Sequence, residues 1–323
     1  MLISKDYKIF IAGHSGMVGS AIKRRLTKMG YPNLLCPSRK DLDLLDFNRV
    51  ENWFKDNKPD VVILAAAKVG GIYANSKYSG DFILENLKIQ TNVIDNAWKY
   101  NVKRFLFLGS SCIYPKFASQ PIKEEDLLSG ALEKTNDSYA IAKIAGIKLC
   151  ESLSIQYGFD AIALMPTNLY GPGDNYDPIN SHVMASLIKK FHDAVINSSK
   201  YVTCWGTGKP LREFMYVDDL ASAALFALEN WDPKSKDAPK DRNGNNLYFL
   251  NIGTGKDISI KELSLKIAKE TGFMGEIIWD HNKPDGTPKK QLNIEKIKKL
   301  GWLPKVNLDE GIKRTIELYK KLN

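Results

Sequence analysis

Apolar residues recur along this chain in two rhythms. Short, continuous apolar runs stand between turn-forming residues, and longer stretches place apolar side chains three and four positions apart. The first rhythm predicts strands buried on both faces, the second amphipathic helices. Residues 8–12 are the first such run, and glycines follow it. Residues 17–29 then carry Met17, Val18, Ala21, Ile22, Leu26 and Met29 on one side, with Lys23, Arg24 and Arg25 outside. Further strands are predicted at 34–36, 61–66, 104–109 and 161–165, and helices at 47–57, 78–100 and 139–158. Strand alternating with helix implies βαβ units and a parallel sheet. Right-handed crossovers make it a doubly wound, Rossmann-type α/β sheet.

After Pro166 the rhythm changes. A loop rich in glycine, proline and asparagine (Tyr170-Gly171-Pro172-Gly173-Asp174-Asn175) opens a second part, with elements expected at 181–197, 201–205, 217–229 and 260–271. Residues 232–246 are polar and turn-rich, as a solvated loop would be. The predicted organisation is a cofactor-binding Rossmann domain over 1–166, with segments returning to it near 206–229 and 247–254. Residues 167–323 form mainly a smaller, interleaved α/β domain for substrate.

Composition narrows the partners. Of 323 residues 44% are hydrophobic, enough for a sizeable core, and the formal net charge is +9. Such a balance invites an anionic partner. The basic residues are scattered, however, and the nearest run (Lys289-Lys290, then Lys296, Lys298 and Lys299) is interrupted. That dispersal argues against nucleic acid and leaves phosphate-bearing small molecules. The four cysteines (Cys36, Cys112, Cys150, Cys204) include no C-x-x-C pair, so neither a disulfide framework nor a metal site is expected. The longest apolar run, 61–67, is far short of a membrane span, and no secretory leader precedes residue 8. A soluble, cytoplasmic protein is expected.

Two motifs carry chemistry. Gly13-His14-Ser15-Gly16-Met17-Val18-Gly19 is G-x-x-G-x-x-G between a predicted strand and helix. Glycines there permit a tight turn and close approach of a pyrophosphate to the helix N-terminus. Gly13, Ser15, Gly16, Met17, Val18 and Gly19 are therefore candidate cofactor contacts. The second strand ends at Pro37-Ser38-Arg39-Lys40, where an NAD site usually has an acidic residue. Arg39 can pair with a 2′-phosphate instead, which favours NADP(H), although Asp41 and Asp43 follow closely. Tyr139-Ala140-Ile141-Ala142-Lys143 is Y-x-x-x-K, with the two polar side chains one helical turn apart. A nearby ammonium lowers the pKa of a phenol, which can then pass a proton to a carbonyl oxygen. Lys143 can also anchor the cofactor ribose. Ser110 lies at the end of the fourth strand, where α/β sheets keep their ligand crevice.

Ser110, Tyr139 and Lys143 on this framework resemble the extended short-chain dehydrogenase/reductases. Longer stretches resemble the GDP-L-fucose synthase family nearly end to end. These include Ala65-Ala66-Ala67-Lys68-Val69-Gly70-Gly71-Ile72, Gly109-Ser110-Ser111-Cys112-Ile113-Tyr114-Pro115, Met165-Pro166-Thr167-Asn168, Asn180-Ser181-His182-Val183, Trp205-Gly206-Thr207-Gly208, Arg212-Glu213-Phe214 and Pro284-Asp285-Gly286-Thr287-Pro288. The resemblance implies NADPH-dependent epimerisation at C3 and C5 of GDP-4-keto-6-deoxy-D-mannose, followed by reduction at C4. It implies Cys112 as the base and His182 as the acid, with Ser110 and Tyr139 on the carbonyl oxygen. It implies Asn168, Lys190, Trp205, Arg212 and a lysine of the 289–290 pair, assigned as Lys289, on GDP, and a homodimer built on the helices near 84–100 and 140–157. Three features depart from the family: Ser15 and Lys190 stand where arginine is usual, and the loop at 173–179 differs. A competing reading is therefore a C4 reductase of another GDP-keto-sugar, without epimerisation. Cys36, Cys150 and Cys204 are assigned no chemistry, His14 is expected to line the glycine turn, and His192 and His281 have no assigned role.

Overall fold

A computed structural model describes residues 1–178 and 181–322. The first half runs β1 (Ile9–Ala12), α1 (Met17–Lys28), β2 (Leu34–Leu35), α2 (Phe47–Asn57), β3 (Val61–Leu64), α3 (Ile72–Lys77), α4 (Ser79–Lys99), β4 (Arg104–Leu108), α5 (Asp137–Tyr157) and β5 (Ala161–Pro166). The second half runs β6 (Asn168–Tyr170), α6 (Val183–Ile196), β7 (Tyr201–Trp205), β8 (Leu211–Tyr216), α7 (Val217–Asn230), β9 (Phe249–Ile252), β10 (Asp257–Ser259) and α8 (Ile260–Thr271). It ends with β11 (Glu276–Asp280), β12 (Lys289–Lys290), α9 (Glu295–Lys299) and α10 (Leu308–Leu322).

The main sheet has the order β2-β1-β3-β4-β5-β9, and every pairing in it is parallel. Strands β1, β3, β4 and β5 are buried along their whole length, which is why they read as apolar runs, broken in β4 only by Arg104. The order reverses between β1 and β3, and α/β sheets bind ligands at the carboxyl ends of the strands at such a switch point. Helix α1 packs against α7, and α4 packs against α5 and α2. Helices α2 and α8 are capped by Asp46 and Ser259, whose side chains accept from the Arg49 and Glu262 backbone N–H groups.

Two hydrophobic cores result. The larger surrounds the main sheet; the smaller joins α6, β7, β8, α8 and α10 through Leu187, Phe191, Phe214, Ile267 and Ile316. Of residues 206–229, helix α7 enters the larger core, whereas β8 belongs to a second sheet with β10, β12 and β6. Strands β6, β8, β9, β10, β11 and β12, and helices α3, α9 and α10, lie outside the elements expected from the sequence. No helix among the described residues is long and apolar enough to cross a membrane.

Candidate active site

One cavity of about 430 Å³ runs along the carboxyl ends of the strands, from the start of α1 to the smaller core. At its cofactor end, Gly13 has φ +88°, and a Cβ there would lie 2.7 Å from the Ala66 backbone nitrogen. A Cβ on Gly19 would collide with the Gly13 carbonyl. Both glycines are thus required by the protein's own packing. Gly16 is different. A Cβ on it would come no closer than 3.6 Å to the chain, so its bareness serves the open space beyond. Gly16 caps α1 without a side-chain acceptor, leaving the first N–H groups of the helix to an outside partner. Turn, cradle and helix end fit a dinucleotide pyrophosphate. Met17 and Val18 line the cavity, and Ser15 and Arg39 are exposed. Asp41 accepts from the Ser38 hydroxyl at 2.6 Å and Asp43 from the Leu45 N–H at 3.1 Å, so both acids are engaged locally. Arg39 makes no ion pair among the described residues.

Helix α5 opens two residues before Tyr139, placing Lys143 one turn further along the cavity wall. Burial changes the expected electrostatics. It pushes the Tyr139 phenol up, and a charge on Cys112, when the thiol ionises, pushes it further, against the lowering anticipated from Lys143. Lys143 itself is lowered to about 8 by burial. Its ammonium donates to the Leu108 carbonyl at 2.8 Å and lies 5.8 Å from the Tyr139 ring centre. Ser110 caps the 3₁₀ turn Ser111–Ile113, its hydroxyl accepting from the Cys112 N–H at 3.4 Å. That turn follows β4 directly and brings Ser110 and Cys112 into the cavity with Tyr139.

His182, the residue before α6, lines the same cavity. The preceding Ile179 and Asn180, and with them the end of the divergent loop, lie outside the described residues. Burial raises the Cys112 thiol, although Lys290 and Ser110 pull it back. Burial and Lys290 lower His182, an effect tempered by the exposure of the residue. The resting pair is thus thiol and neutral imidazole, not thiolate and imidazolium.

At the far end, Arg212 donates to the Leu211 carbonyl at 2.9 Å and the Asp285 carbonyl at 3.2 Å. Burial lowers it to about 10, leaving it charged at neutral pH. Lys190 donates to the Thr203 carbonyl at 3.0 Å and lies 5.5 Å from the half-exposed Trp205 ring. Asn168 donates to the Glu213 carbonyl at 2.7 Å. All four residues line the cavity. Lys289 does not: it pairs with Asp257 at 3.2 Å, and its neighbour Lys290 lines the cavity instead. Strand β12 runs beside β8, and successive side chains on a strand point to opposite faces. Sequence reasoning also missed Asn75, Glu133 and Asn136 on the wall. The last two precede Tyr139 at intervals of three, a signal the sequence carries. Among the described residues no group of three or more His, Cys, Asp or Glu side chains could hold a metal ion.

Residues 9–241 match the family model described as NAD dependent epimerase/dehydratase. The chain belongs to this family. Within the NAD dependent epimerase/dehydratases, it is 52% identical to GDP-L-fucose synthase 1 of Arabidopsis thaliana, over 98% of this chain and 94% of that one. A GDP-6-OMe-4-keto-L-xylo-heptose reductase from C. jejuni superposes with a TM-score of 0.93 at 40% identity, covering 99% of each chain. A GDP-L-fucose synthetase from Naegleria fowleri bound to NADP superposes with a TM-score of 0.86 at 25% identity, covering 99% of this chain and 96% of that one.

Proposed function

We propose that this protein converts GDP-4-keto-6-deoxy-D-mannose to GDP-L-fucose with NADPH, epimerising C3 and C5 and then reducing C4. The observation that carries the reading is the meeting of Ser110, Cys112, Tyr139, Lys143 and His182 in one cavity with Arg212, Lys190 and Trp205. Identity of 52% to a GDP-L-fucose synthase over nearly the whole chain supports it. In this reading NADP(H) lies along Gly13–Gly19, its 2′-phosphate faces Arg39, and when bound it supplies hydride to C4 of the sugar. The part built on the main sheet holds this cofactor and the part around the smaller core holds the GDP-sugar.

The C4 ketone acidifies the protons at C3 and C5. Cys112 takes a proton from one face after passing its own to His182, which returns one on the opposite face. Ser110 and Tyr139 hydrogen-bond the ketone oxygen and stabilise the enolate. During reduction Tyr139 gives its phenolic proton to that oxygen, and its high pKa keeps the proton in place until then. Arg212, Lys190 and Lys290 hold the diphosphate, Arg212 by a planar fork that a lysine lacks. The protein acts in the cytoplasm as a homodimer through α4 and α5. Its four cysteines are free, and Leu84, Ile141, Ile155 and Tyr157 on these helices are exposed.

The test is turnover of the keto-sugar with NADPH in D₂O, with NMR of the product. GDP-L-fucose deuterated at C3 and C5 is the expected result. NADPH consumption with both protons retained would instead favour a C4 reductase, the reading suggested by the 0.93 TM-score to the heptose enzyme.

A further inference from the structure

The cavity wall is strongly basic, with Lys143, Lys190, Arg212 and Lys290 upon it, yet it includes the carboxylate of Glu133. Glu133 is 9% exposed, and its Oε2 pairs with Lys116 at 2.7 Å. Among the described residues its Oε1 receives only two contacts, each of 3.5 Å, from the Thr135 N–H and hydroxyl, so acceptor capacity remains. Asp285, the other carboxylate on this wall, is used up: the Thr207 N–H and hydroxyl donate to its two oxygens at 2.8 and 2.7 Å. Beside Glu133, the Asn136 N–H donates to the Glu133 carbonyl at 3.1 Å, and the buried Asn136 Oδ1 has no partner among the described residues. Glu133 and Asn136 lead into Tyr139 at steps of three, and all three line the cavity.

Acceptors without donors specify the ligand group they meet. A diphosphate is repelled by the carboxylate, and a ketone has no proton to offer. The hydroxyls of a sugar ring do. Arg212 and Lys290, both of which feel the Glu133 charge, hold the diphosphate as its counter-ions. The geometry points to Glu133, assisted by Asn136, as the acceptor of hydrogen bonds from the ring hydroxyls beside the reacting carbonyl, selecting hydroxylated, uncharged sugars over deoxygenated or acidic ones. This assignment rests on the GDP-keto-sugar reading. A ligand lacking the hydroxyl leaves Oε1 of the buried carboxylate without a close donor, a basis for rejecting the analogue.

The experiment compares the wild-type enzyme with Glu133→Gln, Glu133→Asp and Lys116→Met, following NADPH oxidation. The substrates are GDP-4-keto-6-deoxy-D-mannose and its 2-deoxy and 3-deoxy analogues, and the binding of GDP alone is measured in parallel. For Glu133→Gln, kcat/KM on the hydroxylated sugar is expected to fall about tenfold or more, the size of a lost charge-assisted hydrogen bond. The penalty should shrink on one of the deoxy analogues, while the Kd for GDP stays within about twofold of wild type. Lys116→Met, which keeps the carboxylate, should retain the wild-type preference, as should Glu133→Asp in part. Equal losses on all three sugars, or a matching loss of GDP binding, would overturn the assignment. So would Lys116→Met reproducing the Glu133→Gln pattern, since the role would then be structural. If wild-type enzyme reduces none of the sugars, the GDP-keto-sugar reading fails and not this one.

Discussion

At Lys143, burial in the cavity wall disfavours the charged form and lowers the ammonium to about 8. The sign follows directly: the side chain is charged below that pH and neutral above it. In the proposed reaction, reduction needs that charge beside Tyr139 and the cofactor ribose. The kcat/KM for NADPH-dependent reduction, which reports the free enzyme, is therefore expected to fall as pH rises through about 8. A profile flat to pH 10 would separate Lys143 from the step. Epimerisation behaves differently. With the imidazole lowered and the thiol raised, the pair holds one constant proton count between them. Deuterium uptake at C3 and C5 should be level between about pH 6.5 and 8.5, the ordinary values of these groups. Tyr139, Lys143 and Ser110 were legible from spacing along one helix and one strand end. The 289–290 pair was not, because the parity of β12 is fixed by its neighbour β8.

Among elements, the turn from β1 into α1 separates packing from binding. Gly19→Ala drives a methyl into the Gly13 carbonyl, so α1 cannot seat on the turn. A lower melting temperature is expected for it. Gly16→Ala meets nothing of the protein within 3.6 Å and should melt like the wild type, while its Kd for NADPH rises. Thermal melts beside cofactor titrations check both, and equal destabilisation by the two would contradict the division. The strands β1, β3, β4 and β5 were legible because full burial leaves them almost wholly apolar on both faces, Arg104 of β4 excepted. Strands of two or three residues, such as β6, β10 and β12, have no period long enough to read. Helix α10 is another matter, since Ile312, Thr315, Ile316 and Tyr319 recur at helical spacing and could have been recognised.

For the whole molecule, α4 and α5 pack together yet keep Leu84, Ile141, Ile155 and Tyr157 in solvent at 54, 47, 68 and 54% exposure. Light scattering should give twice the 36.3 kDa chain mass, and Ile155→Glu should shift it toward the monomer with turnover chemistry intact. A monomeric wild type would remove the interface.

The sequence by itself determined the doubly wound sheet, the glycine turn and the candidates for the reacting side chains, because these depend on local periodicity and on fixed spacing within one element. Tertiary structure alone decided which lysine of 289–290 lines the cavity, that Glu133 and Asn136 share its wall, and which way burial shifts Tyr139, Cys112 and His182. Those outcomes depend on how strands far apart in the chain align and how much water they exclude. No spacing along the sequence encodes either quantity.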